Sequence, residues 1–436
     1  MHTKTVEPLT VPATRPNRWV VSLVWATACI VAALQAWAGL SRPWSDRLSD
    51  LQVYLGGVNL WKAGSSLYDF AAAETGAPFT YPPFAGLIFA PLTYLNTATL
   101  MVIWTLATIA AVVAIAKIAG KVASEAWQAT SGVAMASSAL LLFLSAPISS
   151  NIRFGQVSIF LALLVLLDTM KIVPPKFAGV ATGIAAALKL TPLIFIPYFW
   201  VTGQRRAAMN ALGTFIAATG LTWLVLFDES IRYWTIELLD VQRVGNIATG
   251  GNQSINGALL RLNLSDSVRT TAVLVLGGAI VFVALWRAAQ MTKRGRLLAA
   301  SAVVGAASVV FSPVSWTHHQ IWLVLAAFAA ISLVAARNWA WSAVVAALMV
   351  LPVTSVGANL PGGVFWENMR LALAVFIACL APFVGARGST AAEPAGATAS
   401  AEESGPIETG DVSAEHLDPP ERGERYPQGA RKDPVG

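Results

Sequence analysis

The stretch Gly183-Ile184-Ala185-Ala186-Ala187-Leu188-Lys189-Leu190-Thr191-Pro192-Leu193-Ile194-Phe195 sits in the middle of an apolar run, 177–201. Read as one helix, this run crosses a membrane once. Broken at Lys189-Leu190-Thr191-Pro192, it makes two short crossings. Pro192 lacks a backbone donor and disfavours helix at Thr191, so a break is expected there. A second run, 82–95, is apolar but only 14 residues long, the length of a re-entrant or interfacial segment. One topology leaves 82–95 out of the bilayer and splits 177–201, and the other does the reverse. Both give about twelve spans with the two termini inside. Over residues 1–386 the first places 14 basic residues inside and 10 outside, against 11 and 13 for the second. The positive-inside tendency therefore favours the first.

That the solvent is a bilayer follows from composition. Of 436 residues, 56% are hydrophobic and only 12% charged, roughly half the usual charged share of a soluble domain. Mean hydropathy is +0.62, and a soluble chain of this length has no core large enough to hide so much apolar surface. The expected class is an all-α polytopic membrane protein. Besides the split run, spans are expected at 19–40, 97–117, 130–147, 156–170, 207–227, 268–289, 297–313, 320–336, 338–354 and 366–384. The first has 22 residues, long enough to span, so 1–18 reads as a cytoplasmic leader before an uncleaved helix rather than a signal peptide.

Net charge is +6, but residues 387–436 carry 5 basic and 10 acidic residues. That tail holds too little apolar surface to offset its ordering entropy and reads as a disordered acidic tail in the cytoplasm. The basic balance elsewhere fits Lys and Arg in cytoplasmic loops, not nucleic-acid binding, because no basic stripe with interleaved aromatics exists. Cys29 and Cys379 both lie in apolar runs and suggest neither a disulfide framework nor a zinc site.

Two long segments, 41–96 and 228–267, face the outside in the favoured topology. They interleave aromatics with charge, as in Arg232-Tyr233-Trp234-Thr235-Ile236-Glu237, a pattern of amphipathic helices at headgroup depth. The polar residues that ask for an explanation lie on this side. In Ser49-Asp50-Leu51-Gln52-Val53-Tyr54, Asp50 reads as a general base for a hydroxyl acceptor, or as a helix cap or solvated carboxylate. Asp46 and Asp69 compete for the role. Tyr81-Pro82-Pro83-Phe84 is a polyproline turn or a rigid corner shaping an interfacial cleft. In Asn151-Ile152-Arg153-Phe154-Gly155-Gln156, Arg153 can hold a phosphate through paired donors and Gln156 can orient a polar ligand. A plain loop with an interfacial arginine is the other reading.

Lys189 has no adjacent acid, and a charge at helix centre costs roughly 2.5–3.5 kcal/mol. A lipid phosphate offsets that cost, as does snorkelling to the surface. Asn252 and Gln253, in Gly250-Gly251-Asn252-Gln253-Ser254, can recognise sugar hydroxyls or simply form a turn. In Ser312-Pro313-Val314-Ser315-Trp316-Thr317-His318-His319, adjacent histidines on a helix diverge by about 100 degrees, which suits a shared metal poorly. One imidazole facing a phosphate, with Trp316 beside an isoprenoid or sugar, fits better. These residues gather at span ends on one side, as an enzyme on a lipid-linked substrate requires. A transporter or flippase instead places polar groups at mid-bilayer, often in two repeated halves, and no repeat is visible.

At Ser49–Tyr54, Phe79-Thr80-Tyr81-Pro82-Pro83, Phe154-Gly155-Gln156, Leu188–Pro192, Gly251–Ser254 and Ser312–His319, the chain resembles the actinobacterial membrane glycosyltransferases of the GT-C superfamily. Specifically it resembles glycosyltransferase family 87, over most of residues 19–384. The resemblance implies a GT-C catalytic domain over 19–386 in the plasma membrane, with the two long outer segments periplasmic. It further implies a polyprenyl-phosphate-mannose donor, a phosphatidylinositol mannoside acceptor and an α-1,2 product formed with inversion. By matching position Asp50 is then the base. His318, His319, Lys189 and Arg153 become candidates for the donor phosphate, and Gln156, Asn252, Gln253, Tyr81 and Trp316 for the sugar or acceptor. No metal or other cofactor is expected. Relatives acting on lipomannan, or transferring arabinofuranose from a decaprenyl-phosphate donor, share these features. The acidic tail lies outside the family pattern.

Overall fold

The computed structural model describes residues 18–384 apart from 263 and 358. The expected leader, up to residue 17, and the expected acidic tail lie outside the described residues. Among the described residues the architecture is helical, and one isolated antiparallel bridge joins Ala71 to Pro78. The helices run in the order α1 (Arg18–Leu40), α2 (Ser49–Lys62), α3 (Pro83–Phe89), α4 (Thr97–Trp127), α5 (Ser131–Leu144), α6 (Ala146–Phe154), α7 (Ser158–Thr169), α8 (Val180–Leu188), α9 (Phe195–Val201) and α10 (Arg205–Val225). Beyond α10, the longer helices are Asp266–Lys293, Leu297–Phe311, Ala335–Val350 and Met369–Cys379.

Four of these, α1, α4, α10 and Asp266–Lys293, are long and apolar enough to cross a membrane. A fifth results if α5 and α6, bent by 61° at Ser145, count as one crossing. The bend has a local cause, since Pro147 occupies the first turn of α6 and cannot continue the ladder of α5. On α1 the large side chains Leu23, Leu34 and Trp37 are exposed, whereas the buried positions are Ala28, Ala32 and Gly39. Small residues inward and large apolar residues outward is the pattern of helices packed in lipid, where close backbone approach holds helices together. Gly120 shows how close: a Cβ there would lie 2.7 Å from the Cα of Met135, so α4 and α5 cross with no room for a side chain.

The decisive stretch is broken as expected, though slightly earlier. Helix α8 ends at Leu188, Lys189 is extended (φ −156, ψ 130), and a 3-10 turn, Thr191–Ile194, leads into α9. The run 82–95 forms α3, begun by Pro83, and a 3-10 turn, Ala90–Tyr94. The expected span 320–336 is not one helix. It holds a short helix, Ile321–Leu325, a 3-10 turn, Ala326–Phe328, and irregular chain before Ala335. Residues 321–330 are all buried, so their apolar character serves protein packing rather than lipid contact. Irregular backbone in an apolar setting is tolerated under that condition.

The two long segments are tied to each other by charge. Arg232 donates to Asp69 at 2.6 Å and to Glu237 at 2.7 Å. Arg243 also pairs with Glu237 and donates to the carbonyl of Tyr68 at 2.9 Å. This clasp joins 41–96 to 228–267 and closes one side of the cavity described next.

Candidate active site

A cavity of about 280 Å³ is lined by Asp50, Tyr81, Gln156, Lys189, Trp316, His318 and His319, with Arg243 on its rim side. Asp50 is placed by the start of α2. The residue before that helix, Leu48, is left-handed (φ 45, ψ 51) and fully buried, and the helix has no side-chain cap. The capping role for Asp50 is therefore not taken up. Gly155, itself at φ 66, lies where a Cβ would come 3.0 Å from the Cβ atoms of Leu48 and Leu51. Both the left-handed turn and the close approach call for glycine there, and this turn delivers Gln156 to Asp50.

Gln156 donates through Nε2 to Asp50 Oδ2. Its Oε1 accepts from the hydroxyls of Tyr54 at 3.0 Å and Tyr81 at 3.1 Å. Asp50 Oδ1 has no hydrogen-bond partner among the described residues. Burial pushes the Asp50 carboxyl up to about 6, while the Gln156 hydrogen bond and the Lys189 charge hold it from rising further. A carboxylate so tuned is ionised at neutral pH yet basic enough to accept a proton.

Lys189 projects from the break after α8, its Nζ 2.7 Å from His319 Nε2 and 5.2 Å from the centre of the Tyr81 ring. The backbone N–H of Trp316 donates to His319 Nδ1 at 3.2 Å. Burial first, then the Lys189 charge, holds the His319 imidazole well below its usual range and thus neutral. A neutral imidazole has one acceptor nitrogen, and an ammonium has none. His319 thus faces two donors, Trp316 and Lys189, and can accept from only one. An anion accepting from Lys189 and His319 together resolves this. His318, perpendicular to His319 with ring centres 4.4 Å apart, has a buried Nε2 without a partner among the described residues.

Three expected site residues lie elsewhere. Arg153 lies in the last turn of α6 and lines a different cavity, beside Asp46 at 3.8 Å. Asn252 and Gln253 are buried, with their amides taken up by the protein. Asn252 Oδ1 accepts from the N–H of Ser315 at 2.9 Å and from the hydroxyl of Ser254, and Nδ2 donates to Ile247. Gln253 donates to Gly250 and Glu367 and accepts from Leu371 at 2.8 Å. These side chains anchor the turn that carries Trp316 and His319 rather than facing the cavity. Of the competitors for the base, Asp46 pairs with Arg42 and Asp69 with Arg232. Sequence reasoning passed over Tyr54 and Arg243. Tyr54 stands four residues after Asp50, hence on the same helix face, a spacing that points to it. Arg243 meets its partners only through the fold.

In this helical membrane protein a buried carboxylate and a lysine–histidine pair line one cavity. The chain belongs to glycosyltransferase family 87, whose sequence profile matches residues 79–313. It is 31% identical over 318 residues, 69% of this chain and 74% of the relative, to a polyprenol-phosphate-mannose-dependent alpha-(1-2)-phosphatidylinositol mannoside mannosyltransferase of Mycobacterium tuberculosis. It is 32% identical over 328 residues, 73% of this chain and 77% of the relative, to a polyprenol-phosphate-mannose-dependent alpha-(1-2)-phosphatidylinositol pentamannoside mannosyltransferase of Mycolicibacterium smegmatis. No solved structure is significantly similar to the chain. It is a membrane glycosyltransferase.

Proposed function

We propose that this glycosyltransferase is an inverting, polyprenyl-phosphate-mannose-dependent α-1,2-mannosyltransferase. It adds mannose to a phosphatidylinositol mannoside on the periplasmic face of the plasma membrane, with both termini cytoplasmic. The names of the similar mycobacterial proteins support this donor, acceptor and linkage. The observation that carries the reading is one cavity holding the unengaged Asp50 Oδ1 together with the Lys189–His319 pair.

In this reading Asp50 Oδ1 takes the proton of the acceptor 2-hydroxyl as that oxygen attacks mannose C1. The bond from C1 to the phosphate oxygen breaks, and its electron pair leaves with polyprenyl phosphate. One displacement turns a β donor into an α product. Lys189 and His319 donate to the leaving phosphate as its charge grows, and Trp316 lies beside the sugar or isoprenoid. The lipid-linked donor is the sole cosubstrate, and no metal takes part.

The test is transfer of labelled mannose from polyprenyl-phosphate-mannose to a tetramannosylated phosphatidylinositol by the purified protein in lipid, with Asp50→Ala alongside. Transfer by the parent and loss of about 10²-fold or more in the variant is expected for a general base. A variant keeping more than about a tenth of the activity removes Asp50 from the role. No transfer by a parent protein that binds polyprenyl phosphate shifts the substrate to lipomannan or to an arabinofuranosyl donor.

A further inference from the structure

A second cavity, of about 670 Å³, shares its walls with the first. The segments 153–156 and 316–319 contribute to both: Arg153, Phe154 and Thr317 to the second, Gln156, Trp316, His318 and His319 to the first. Its polar lining is unusual for a cavity in a membrane protein. Arg42, Arg153 and Arg370 converge on it, with Gln35, Ser149 and Ser150.

Arg370 is only 4% exposed. It donates through Nε to the carbonyl of Leu348 at 3.0 Å and through Nη2 to that of Leu351 at 3.2 Å, and has no ion-pair partner among the described residues. A buried guanidinium without a counter-charge is costly, and an anion in the cavity offsets the cost. Arg42 and Arg153 share a single carboxylate, Asp46. The one acid lining the cavity among the described residues, Glu367, lies 3.9 Å from Arg261, a fourth arginine. Cations thus outnumber acids around the space. Gln35 Oε1 is buried and has no partner among the described residues, an acceptor for a headgroup hydroxyl.

The surroundings identify the kind of anion. The chain from 350 to 367 supplies Pro352, Thr354 and Ser355 to the wall, and it exposes Leu351, Val356, Leu360, Val364 and Phe365. Trp37, near the end of α1, is 69% exposed. A cationic pocket edged by exposed apolar side chains fits a molecule with a phosphate at one end and acyl chains at the other. We propose that this cavity binds the phosphodiester of an anionic membrane lipid, at a site separate from the donor phosphate at Lys189 and His319. The acceptor of the proposed reaction is itself such a lipid, so this rests on that reading and assigns residues to the lipid's phosphodiester, and its test needs no turnover.

The test titrates the full-length protein in detergent micelles with short-chain phosphatidylinositol, inorganic phosphate or diacylglycerol, and separately with polyprenyl phosphate. The double variant Arg42→Gln/Arg153→Gln alters partly exposed residues, and Arg370→Lys is made in parallel. The double variant should bind phosphatidylinositol about tenfold more weakly or worse, with polyprenyl phosphate binding changed by less than about twofold. Retained polyprenyl phosphate binding also certifies the fold, so a misfolded Arg370→Lys leaves the double variant to decide. Unchanged phosphatidylinositol binding overturns the proposal, as does an equal loss of polyprenyl phosphate binding, which would put both arginines in the donor site. Diacylglycerol binding as tightly as phosphatidylinositol overturns the phosphodiester. Inorganic phosphate displacing the lipid at equal concentration makes this a free-anion site instead.

Discussion

Gln156 bridges Asp50 to two tyrosines: its amide nitrogen donates to the carboxylate, and its oxygen accepts from Tyr54 and Tyr81 at 3.0 and 3.1 Å. The carboxylate is thereby held by one oxygen, and the other has no hydrogen-bond partner among the described residues. The amide's orientation follows from the carboxylate, which only accepts and so takes the NH2 end, leaving the amide oxygen for the phenolic hydroxyls. Three segments distant in sequence, α2, the entry to α3 and the turn after α6, thus set the attitude of one carboxyl group.

Gln156→Leu removes this restraint and leaves Asp50 in place. Tyr54 and Tyr81 can still bond to each other, their hydroxyls being 3.0 Å apart. A base free to rotate spends less time aimed at the acceptor, so kcat should fall by about 10–100-fold, with little change in the donor KM. Steady-state kinetics on both substrates check this. A donor KM that rises while kcat holds would place Gln156 on the sugar instead.

The raised Asp50 carboxyl links activity to stability. Its value in the folded protein, about 6, lies above the ordinary 3.8 because of burial. Between those values the folded state binds more protons than the unfolded one, so stability falls as pH rises through that window and stays reduced above it. Asp50→Asn removes the burial of a charge. It should raise the melting temperature at pH 7, lose that gain below pH 4, and lower turnover by about 10²–10⁴-fold. In the parent protein kcat/KM should fall below about pH 6 as the base is protonated. Thermal melts and pH–rate profiles test both. A variant no more stable than the parent at pH 7 would mean the carboxylate is well solvated.

Local constraints made part of this legible in the sequence. The break at Lys189 and the short α3 follow from Pro192 and Pro83, which act within a few residues. The burial of 321–330 was not legible, because an apolar residue has the same hydropathy whether it faces lipid or protein. The grouping of Asp50, Tyr81, Gln156, Lys189, Trp316 and the two histidines in one cavity matches the one side on which the expected topology puts them. The separation of Arg153 from Gln156 was not legible. Only two residues lie between them, but one of these, the left-handed Gly155, turns the chain. Nor does an amide's polarity reveal whether its partner is a sugar or the backbone, as Asn252 and Gln253 show.

For Asn252 the two roles predict different measurements. Asn252→Leu leaves the N–H of Ser315 and the hydroxyl of Ser254 without their acceptor in a buried setting. Each unsatisfied group costs about 1–3 kcal/mol, so the melting temperature should drop by several degrees or more. In the protein that remains folded, the acceptor KM should stay within about twofold of the parent. An acceptor KM that rises tenfold at unchanged stability would return Asn252 to the sugar site.

The Lys189–His319 pair separates donor from acceptor chemistry. Lys189 has three donors and no acceptor, while His319 already receives the N–H of Trp316. An incoming phosphate is the group that satisfies both. His319→Ala should therefore weaken use of polyprenyl-phosphate-mannose more than use of the acceptor. The loss of one preorganised donor amounts to about 10²–10³-fold in kcat/KM. Lys189→Met should do the same and also shift the acid limb of the pH–rate profile upward, because the Lys189 charge lowers the Asp50 carboxyl. His318→Ala, whose Nε2 has no protein partner, should have the smaller effect on the donor. Kinetics with each substrate varied in turn decide the matter. If only the acceptor KM moves in His319→Ala, the phosphate lies elsewhere in the cavity, and Arg243 becomes the cation to replace next.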